Sequence, residues 1–199
     1  MKRIGILGGT FDPVHLGHLI IAENTAEQVH LDEVMFIPSK TPPLKNINNI
    51  SEPVHRLNML KLAVRGNPGF VINDIEINSE GSEPDYTVNT LLKLREQYIN
   101  EQVKFYLIIG MDQLINLDKW KDPGKLFLLS EVVVINRPGY LVTQVENEYS
   151  RQTIMVPVPN IDISSTDIRY RVSENRSIKY LVTPEVENYI YEHKLYKQD

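Results

Sequence analysis

The stretch Ile4-Gly-Ile-Leu-Gly-Gly-Thr-Phe-Asp-Pro-Val-His-Leu-Gly-His18 decides the fold of this chain. Its apolar beginning predicts a strand, and apolar residues at a helical period follow it, at Leu19, Ala22, Ala26 and Val29. The glycine pair between them predicts a sharp turn whose backbone can come close to a ligand. A helix that begins there presents backbone N–H groups and a positive dipole end, which suit a phosphate.

His15 and His18 stand three residues apart, so both imidazoles lie on one face of the first helical turn. A strand, a glycine turn and a helix occur in many α/β domains, and this turn matches neither a Walker A nor a GxGxxG loop. The histidines could also be surface residues or half of a zinc site, but zinc needs further ligands and the chain has no cysteine. Two imidazoles beside a glycine turn nevertheless favour a functional site.

The stretch from Gly8 to His18 resembles the His-x-Gly-His signature of a nucleotidyltransferase superfamily, and within it the bacterial nicotinate mononucleotide adenylyltransferases. A second stretch, Ile163-Ser-Ser-Thr-Asp-Ile-Arg169, is similar to that family's Ile-Ser-Ser-Thr-x-Ile-Arg, and it follows in the family's order. The resemblance implies an enzyme of NAD biosynthesis. Such an enzyme transfers AMP from ATP to nicotinate mononucleotide and forms deamido-NAD (nicotinate adenine dinucleotide) and pyrophosphate.

Length and charge limit the other classes of function. The 199 residues suffice for one nucleotidyltransferase domain, which we expect over 1–199, with a helical C-terminal portion, 164–199, packed on it. A net charge of −5 argues against a nucleic-acid partner but not against a nucleotide, which needs only a local positive site. The lack of cysteine fits a cytoplasmic protein, and no apolar run is long enough for a signal peptide or a membrane partner. A homodimer is left open.

Apolar runs predict six strands, and helical patterns separate most of them. The predicted strands are Ile4–Leu7, Glu33–Pro38, Phe70–Ile77, Val103–Gly110, Glu131–Asn136 and a short edge strand at Thr153–Pro157. Strand–helix–strand units are right-handed and parallel, so we expect a doubly wound, mostly parallel, Rossmann-like α/β sheet with helices on both faces. The expected order is 3-2-1-4-5, which puts a ligand crevice between the loops that follow strands one and four.

The ATP site is predicted at this crevice. By topology the turn after strand four lies opposite the glycine turn after strand one. The hydroxyl residues before Arg169 form a helix N-cap, and with that arginine they could also cradle the β- and γ-phosphates. Arg137, in a turn, could touch ATP or simply face solvent. The predicted ATP-binding residues are Gly8, Gly9, Thr10, Phe11, His15, His18, Gly110, Asp112, Arg137, Ser164, Ser165, Thr166 and Arg169.

The acceptor site is predicted around Trp120, the single tryptophan, whose charged neighbours indicate a half-exposed ring. A pyridinium cation on an indole face gains roughly 0.5–2 kcal/mol. Asp85 or Thr87 is expected to cap the next helix, and the resemblance of this segment to the family's Asp-Tyr-Thr implies contact with the nicotinate group. The predicted nicotinate mononucleotide-binding residues are Lys45, Tyr86, Thr87 and Trp120.

The sequence shows no nucleophilic triad, which fits a substrate that brings its own nucleophile. We expect the acceptor's 5′-phosphate to attack the α-phosphorus of ATP. The predicted catalytic residues are His18 at the α-phosphate, His15 at the neighbouring phosphates and Arg169 at the leaving pyrophosphate. Mg²⁺ is expected with ATP, without a dedicated protein metal site. The alternatives are nicotinamide mononucleotide or another small phosphate as acceptor, or an ATP-sensing module without turnover.

Overall fold

A computed structural model describes residues 1–42, 50–81, 84–136 and 148–197. Its strands are β1 Lys2–Gly9, β2 Glu33–Pro38, β3 Phe70–Ile72, β4 Val103–Gly110, β5 Glu131–Asn136 and β6 Thr153–Pro157. Its α-helices are α1 Leu16–Val29, α2 Pro53–Val64, α3 Thr87–Gln97, α4 Met111–Ile115, α5 Pro123–Leu129, α6 Ser165–Ser173 and α7 Pro184–Glu192. None of the helices in these ranges is long and apolar enough to cross a bilayer.

The six strands form one sheet in the order β3-β2-β1-β4-β5-β6, and every pair is parallel. This confirms the predicted order and the sixth strand at the edge beside β5. The chain moves outward from β1 through β2 to β3 and then returns to the other side of β1 for β4. The loops that follow β1 and β4 therefore leave the sheet in opposite directions and open a crevice.

Helices cover both faces of the sheet, as predicted, because successive strand side chains point to opposite sides. On β1, Ile4 and Ile6 pack into the core beneath α3, α4 and α5, whereas Leu7 packs into the core beneath α1, α2, α6 and α7. The central strands are thus apolar on both faces, as is typical of a buried parallel sheet.

The third strand is shorter than predicted. It ends at Ile72 instead of Ile77, because Asn73 turns the chain. The backbone N–H of Asn73 donates to Phe36 O at 3.0 Å, while its side-chain oxygen accepts the N–H of Ile75 at 3.0 Å. Such a local bond from an asparagine side chain competes with strand pairing. The apolar–polar alternation continues past Asn73 in the sequence, but the segment after it is a turn.

The start of α3 also differs from the prediction. Its N-cap is Tyr86, without a side-chain cap bond, and neither Asp85 nor Thr87 takes that position. The Asp85 carboxylate instead accepts the backbone N–H of Thr41 at 2.5 Å, and the Asp85 N–H donates to Thr41 O at 2.9 Å. A distant partner has thus replaced the local cap, and it ties the loop after β2 to the start of α3.

The capping prediction for α6 is confirmed. Ser164 is the N-cap, and its hydroxyl accepts the backbone N–H of Asp167 at 3.0 Å. Thr183 caps α7 in the same way, with its hydroxyl 3.4 Å from the N–H of Val186. Both helices pack on the sheet through a buried apolar stripe, which brings the C-terminal part of the chain against the loop after β1.

Candidate active site

A cleft of about 650 Å³ opens where the loops after β1 and β4 diverge. This is the position that the strand order predicts for a ligand. Eleven of the predicted site residues line it: Gly8, Gly9, Thr10, Phe11, His18, Tyr86, Thr87, Gly110, Asp112, Trp120 and Ser165. Residues from both predicted substrate sites therefore share one cavity. Lys45 and Arg137 lie outside the described residues.

The loop after β1 folds back on itself at Phe11. This residue has a positive φ of 49° and is buried, with its ring against the backbone of Gly9. A Cβ on Gly9 would lie 3.0 Å from that ring, so a larger residue at this position would push the Phe11 ring aside. The Phe11 ring then meets the edge of the His18 imidazole, with centroids 5.0 Å apart. Phe11 thereby supports His18 from one side.

The two histidines are arranged one behind the other. Their rings are stacked with centroids 3.7 Å apart, and His15 is buried while His18 faces the cleft. The backbone N–H of His15 donates to His18 Nδ1 at 3.2 Å. Because Nδ1 accepts this bond, a neutral His18 carries its proton on Nε2, where it can serve as a donor to an anionic oxygen.

The start of α1 contributes less to anion binding than expected. The N–H of Leu16 donates to Leu181 O at 2.9 Å, while the N–H groups of His18 and Leu19 donate to His15 O at 2.9 and 3.4 Å. The expectation that the first amides of this helix are open to phosphate is therefore wrong for Leu16 and His18. Leu181 O and His15 O accept these N–H groups, and the donor of this turn that lines the cleft is the His18 imidazole.

The second motif docks directly on the first. Ser165 Oγ donates to Pro13 O at 2.9 Å, and Arg169 Nη1 donates to Asp12 O at 2.8 Å. Arg169 Nη2 also lies 3.4 Å from Thr166 Oγ1. A guanidinium has five N–H donors, and these contacts use two of them. Arg169 is thus held at the edge of the histidine loop, flanked by the exposed hydroxyl residues Ser164 and Thr166.

Asp12 joins three distant parts of the chain, and sequence reasoning assigned it no role. Its carboxylate, in a residue that is 2% exposed, accepts the Tyr196 hydroxyl at 2.8 Å and the N–H of Ser51 at 3.3 Å. Burial, with the nearby Asp12 charge, raises the pKa of Tyr196 above its ordinary value, so the hydroxyl stays protonated and donates. Tyr196 lies beyond the last helix, where no sequence pattern marks it.

We expect Tyr196→Phe to lower the free energy of unfolding by about 1–2 kcal/mol, because the buried Asp12 carboxylate loses a donor. Urea unfolding followed by circular dichroism measures the change. Tyr180→Phe is the matched control, since Tyr180 is 78% exposed, and its effect should stay within about 0.5 kcal/mol. Equal stability of the two variants would show that the Tyr196 bond does not hold the loop.

Arg56 is the second residue that sequence reasoning missed. It is fully buried, and its guanidinium donates to Thr10 O at 2.8 Å, to Ser39 O at 2.6 Å and to Ser51 O at 3.0 Å. Burial lowers its pKa, and the Asp12 carboxylate opposes the shift. A signal was present, because Arg56 lies three and four residues before Met59 and Leu60, on the face of α2 that enters the core.

Three of the residues predicted to bind nicotinate mononucleotide, Tyr86, Thr87 and Trp120, line the same cleft. Tyr86 and Thr87 begin α3, and the half-buried ring of Trp120 follows the short 3₁₀ turn Leu117–Lys119. The Nζ atom of Lys121 lies 4.6 Å from the centroid of the Tyr86 ring. An aromatic face, a helix start and a cation are therefore close together in a chain whose net charge is negative.

Glu76 is the third residue that the sequence did not reveal, because the pattern placed it in a strand. It lies in the turn after β3 and lines the cleft, and its Oε1 accepts the Thr90 hydroxyl at 2.5 Å. Burial raises the pKa of Glu76 to about 7, although the bond from Thr90 opposes the shift. Among the described residues, no group of three or more histidines and carboxylates is placed to hold a metal ion.

Comparison with known proteins agrees with this fold. The cytidylyltransferase-like family model matches residues 6–171. A probable nicotinate-nucleotide adenylyltransferase of Thermomicrobium roseum is 42% identical, over 99% of this chain and 92% of its own length. The nicotinate-nucleotide adenylyltransferase of Bacillus subtilis is 39% identical, over 99% of this chain and all of its own. In fold, the chain is similar to the nicotinic acid mononucleotide adenylyltransferase of Plasmodium falciparum complexed with NaAD, with a TM-score of 0.78, 21% identity and 98% coverage of each chain.

Proposed function

Because this chain belongs to the nicotinate-nucleotide adenylyltransferases, within the cytidylyltransferase-like family, we propose that it transfers AMP from ATP to nicotinate mononucleotide. The products are nicotinate adenine dinucleotide and pyrophosphate, and the reaction belongs to NAD biosynthesis. The observation that carries the proposal is the single cleft, in which His18 and Ser165 line the same cavity as Tyr86 and Trp120.

The reaction needs no nucleophile from the protein. An oxygen of the acceptor's 5′-phosphate forms a bond to the α-phosphorus, and the bond from that phosphorus to the bridging oxygen of the β-phosphate breaks. Pyrophosphate leaves with the electron pair. The protein has to bring two anionic substrates together in line and stabilise the charge that develops on the phosphate oxygens.

We assign the histidine turn to the reacting phosphate. His18 donates from Nε2 to an α-phosphate oxygen, because its Nδ1 accepts the backbone N–H of His15. The buried His15 ring, stacked behind it, holds His18 in this orientation. This replaces the expected direct contact of His15 with the neighbouring phosphates by a positioning role. Arg169, with Ser164 to Thr166, binds the β- and γ-phosphates and the departing pyrophosphate.

We assign the other end of the cleft to the pyridine ring. The ring stacks on Trp120, where an indole face attracts the pyridinium cation. Its carboxylate lies near the start of α3, where the Lys121 ammonium over the Tyr86 ring adds a positive charge. Roles for Lys45 at the acceptor and for Arg137 at ATP stay predictions.

The proposal includes Mg²⁺ bound to ATP. The described residues contain no carboxylate and histidine group that could hold a metal ion by itself. Triphosphate oxygens and water would therefore supply most of its ligands, which is the usual mode for this ion. Asp112 lines the cleft at the start of α4 and is the carboxylate placed to contact that hydration shell. The ion, when bound, neutralises phosphate charge.

The experiment that tests the proposal is pyrophosphate release from Mg-ATP, with nicotinate mononucleotide, nicotinamide mononucleotide or phosphopantetheine as acceptor. We expect rapid release with the nicotinate nucleotide and slower or no release with the others. Release with phosphopantetheine alone would replace the proposed acceptor. ATP binding without release in any of the three assays would leave a nucleotide sensor.

Trp120→Ala should raise the KM for nicotinate mononucleotide by about 3- to 30-fold, because loss of the stacking face removes roughly 0.5–2 kcal/mol of ring binding. The KM for ATP should change much less. Steady-state kinetics with the other substrate saturating measures both constants, and Trp120→Phe, which keeps an aromatic face, is the matched control. An increase confined to the KM for ATP would place the nucleotide and not the pyridine at Trp120.

A cytoplasmic location and a homodimer stay predictions. Sedimentation equilibrium of the purified chain across a range of concentrations tests the second of them. A single species at the monomer mass at every concentration would contradict the dimer.

A further inference from the structure

Glu76 occupies an unexpected position for a carboxyl group. The turn at Asn73 ends β3 and brings Glu76 beside the start of α3, where Thr90 donates its hydroxyl to Glu76 Oε1. The backbone N–H of Thr90 donates to Tyr86 O at 3.2 Å, so Glu76 lies about one helical turn from the residues that begin this helix. Glu76, Tyr86, Thr87 and Thr90 all line the same cleft.

Charged residues from α3 and from the segments before α3 and after β2 surround Glu76. Asp85, just before α3, disfavours the ionised carboxylate, and Lys93 on α3 favours it. Lys40, after β2, lies near Asp85 and donates from Nζ to Ser79 O at 2.6 Å, beside the Glu76 turn. The other charged or titratable residues that line the cleft are His18, Tyr86, Asp112, Lys119 and Lys121, and the Lys121 ammonium lies over the Tyr86 ring.

We propose that Glu76 sets the selectivity between acid and amide pyridine nucleotides. Protonated Glu76 favours binding of a nicotinate carboxylate, and ionised Glu76 favours binding of a nicotinamide carboxamide. This inference rests on the proposed function, since it assumes that the pyridine ring occupies the end of the cleft near Tyr86. It deepens that function by naming the residue that distinguishes the two ring substituents.

The physical reason is the repulsion between two carboxylates in one partly buried site. A nicotinate carboxylate near Glu76 disfavours ionisation of the glutamate, as happens when two carboxyl groups share a site. The protonated Glu76 removes that repulsion and gains an O–H that can donate to the substrate. A carboxamide carries N–H donors and no charge, so the ionised Glu76 can accept from it without a penalty.

The direction of the pH effect follows from linkage. The pKa of Glu76 is about 7 in the cleft, and bound nicotinate raises it further. Below this value Glu76 is neutral before and after the acid substrate binds, so pH does not change the binding of the acid through this group. Above it the acid substrate binds only with uptake of a proton. Its kcat/KM relative to the amide therefore falls with rising pH, by at most tenfold per pH unit.

The experiment compares kcat/KM for nicotinate mononucleotide and nicotinamide mononucleotide between about pH 6 and about pH 8.5. Both substrates carry the same 5′-phosphate, so its own titration cancels in the acid-to-amide ratio. In the wild type we expect this ratio to fall by about threefold to thirtyfold across the range. Quenching of the single tryptophan, Trp120, gives the dissociation constants of both nucleotides without turnover.

Two variants should change the pH dependence of the acid-to-amide ratio in different ways. Glu76→Gln cannot ionise and should make the ratio independent of pH. Thr90→Val removes the donor that favours the ionised form, so the fall in the ratio should move to higher pH. The matched control is Glu80→Gln, an exposed glutamate in the same segment, which should behave as the wild type.

The outcomes separate this inference from the function on which it rests. Lack of activity with both pyridine nucleotides in the wild type would overturn the proposed function. If the enzyme is active but its acid-to-amide ratio does not change with pH, the role of Glu76 is overturned and the proposed function stands. The same holds if the ratio of Glu76→Gln changes with pH as in the wild type. If Asp85→Asn removes the pH dependence of the ratio and Glu76→Gln keeps it, Asp85 and not Glu76 causes that dependence. If Glu76→Gln does not fold, the shift in Thr90→Val decides.

Discussion

His18→Ala is expected to lower kcat by about 10²- to 10³-fold, which corresponds to about 3–4 kcal/mol of transition-state stabilisation. The variant loses the Nε2 donor that faces the cleft, where charge grows on the α-phosphate oxygens as pyrophosphate departs. The KM values for both substrates should change little, because the donor acts mainly in the transition state. Pyrophosphate release at saturating substrates measures the effect.

Two further variants control this result. His193→Ala removes an exposed imidazole near the C-terminus, so it should retain the wild-type rate. His18→Gln places an amide N–H near the position of Nε2 and should recover part of the lost rate. A raised KM with unchanged kcat in His18→Ala would mean that His18 binds the ground state and the transition state equally. That result would overturn its catalytic assignment.

Arg56→Met is expected to lower the free energy of unfolding by about 3–5 kcal/mol. The methionine fills similar space but leaves the carbonyls of Thr10, Ser39 and Ser51 without their donor. The first two of these residues line the cleft, so activity should fall together with stability. Guanidinium chloride unfolding measures the first effect, and pyrophosphate release measures the second.

The matched control is Arg65→Met, at the exposed end of the same helix, which should change stability by less than about 0.5 kcal/mol. Arg56→Lys keeps the charge but loses the fork that reaches three acceptors, so it should also destabilise the protein. Wild-type stability in Arg56→Lys would show that the positive charge suffices. Equal effects at positions 56 and 65 would contradict the positioning role.

Local patterns predicted most of the elements because their physical causes are local. Apolar runs marked five of the six strands closely, and the run at Val103–Gly110 became the central strand β4 without change. Ser164 took the N-cap position that its residue type favours. Strand order was predicted from the usual arrangement of doubly wound parallel sheets, whose right-handed crossovers depend on backbone chirality and not on particular side chains.

Two of the errors lie where a distant partner replaced a local one. The Asp85 side chain bonds to the backbone of Thr41 instead of capping α3, and the first N–H of α1 donates to Leu181 O. Asn73 is the opposite case, because a local bond from its side chain to the N–H of Ile75 ended β3 although the apolar–polar alternation continued beyond it. In each position two hydrogen-bonding patterns were available to the backbone, and the sequence pattern alone does not distinguish them.

By itself, the sequence determined the α/β fold, the place of the crevice and the two motifs that meet at it. These follow from short-range periodicity, glycine positions and backbone chirality, all of which are present in the sequence itself. The tertiary structure alone decided which side chains the crevice contains and what holds them. Tyr196 and Glu76 have no local signature, and the helical pattern that places Arg56 on the core face of α2 does not show its partners, because these roles depend on buried carbonyls and carboxylates that the fold brings together from separate parts of the chain.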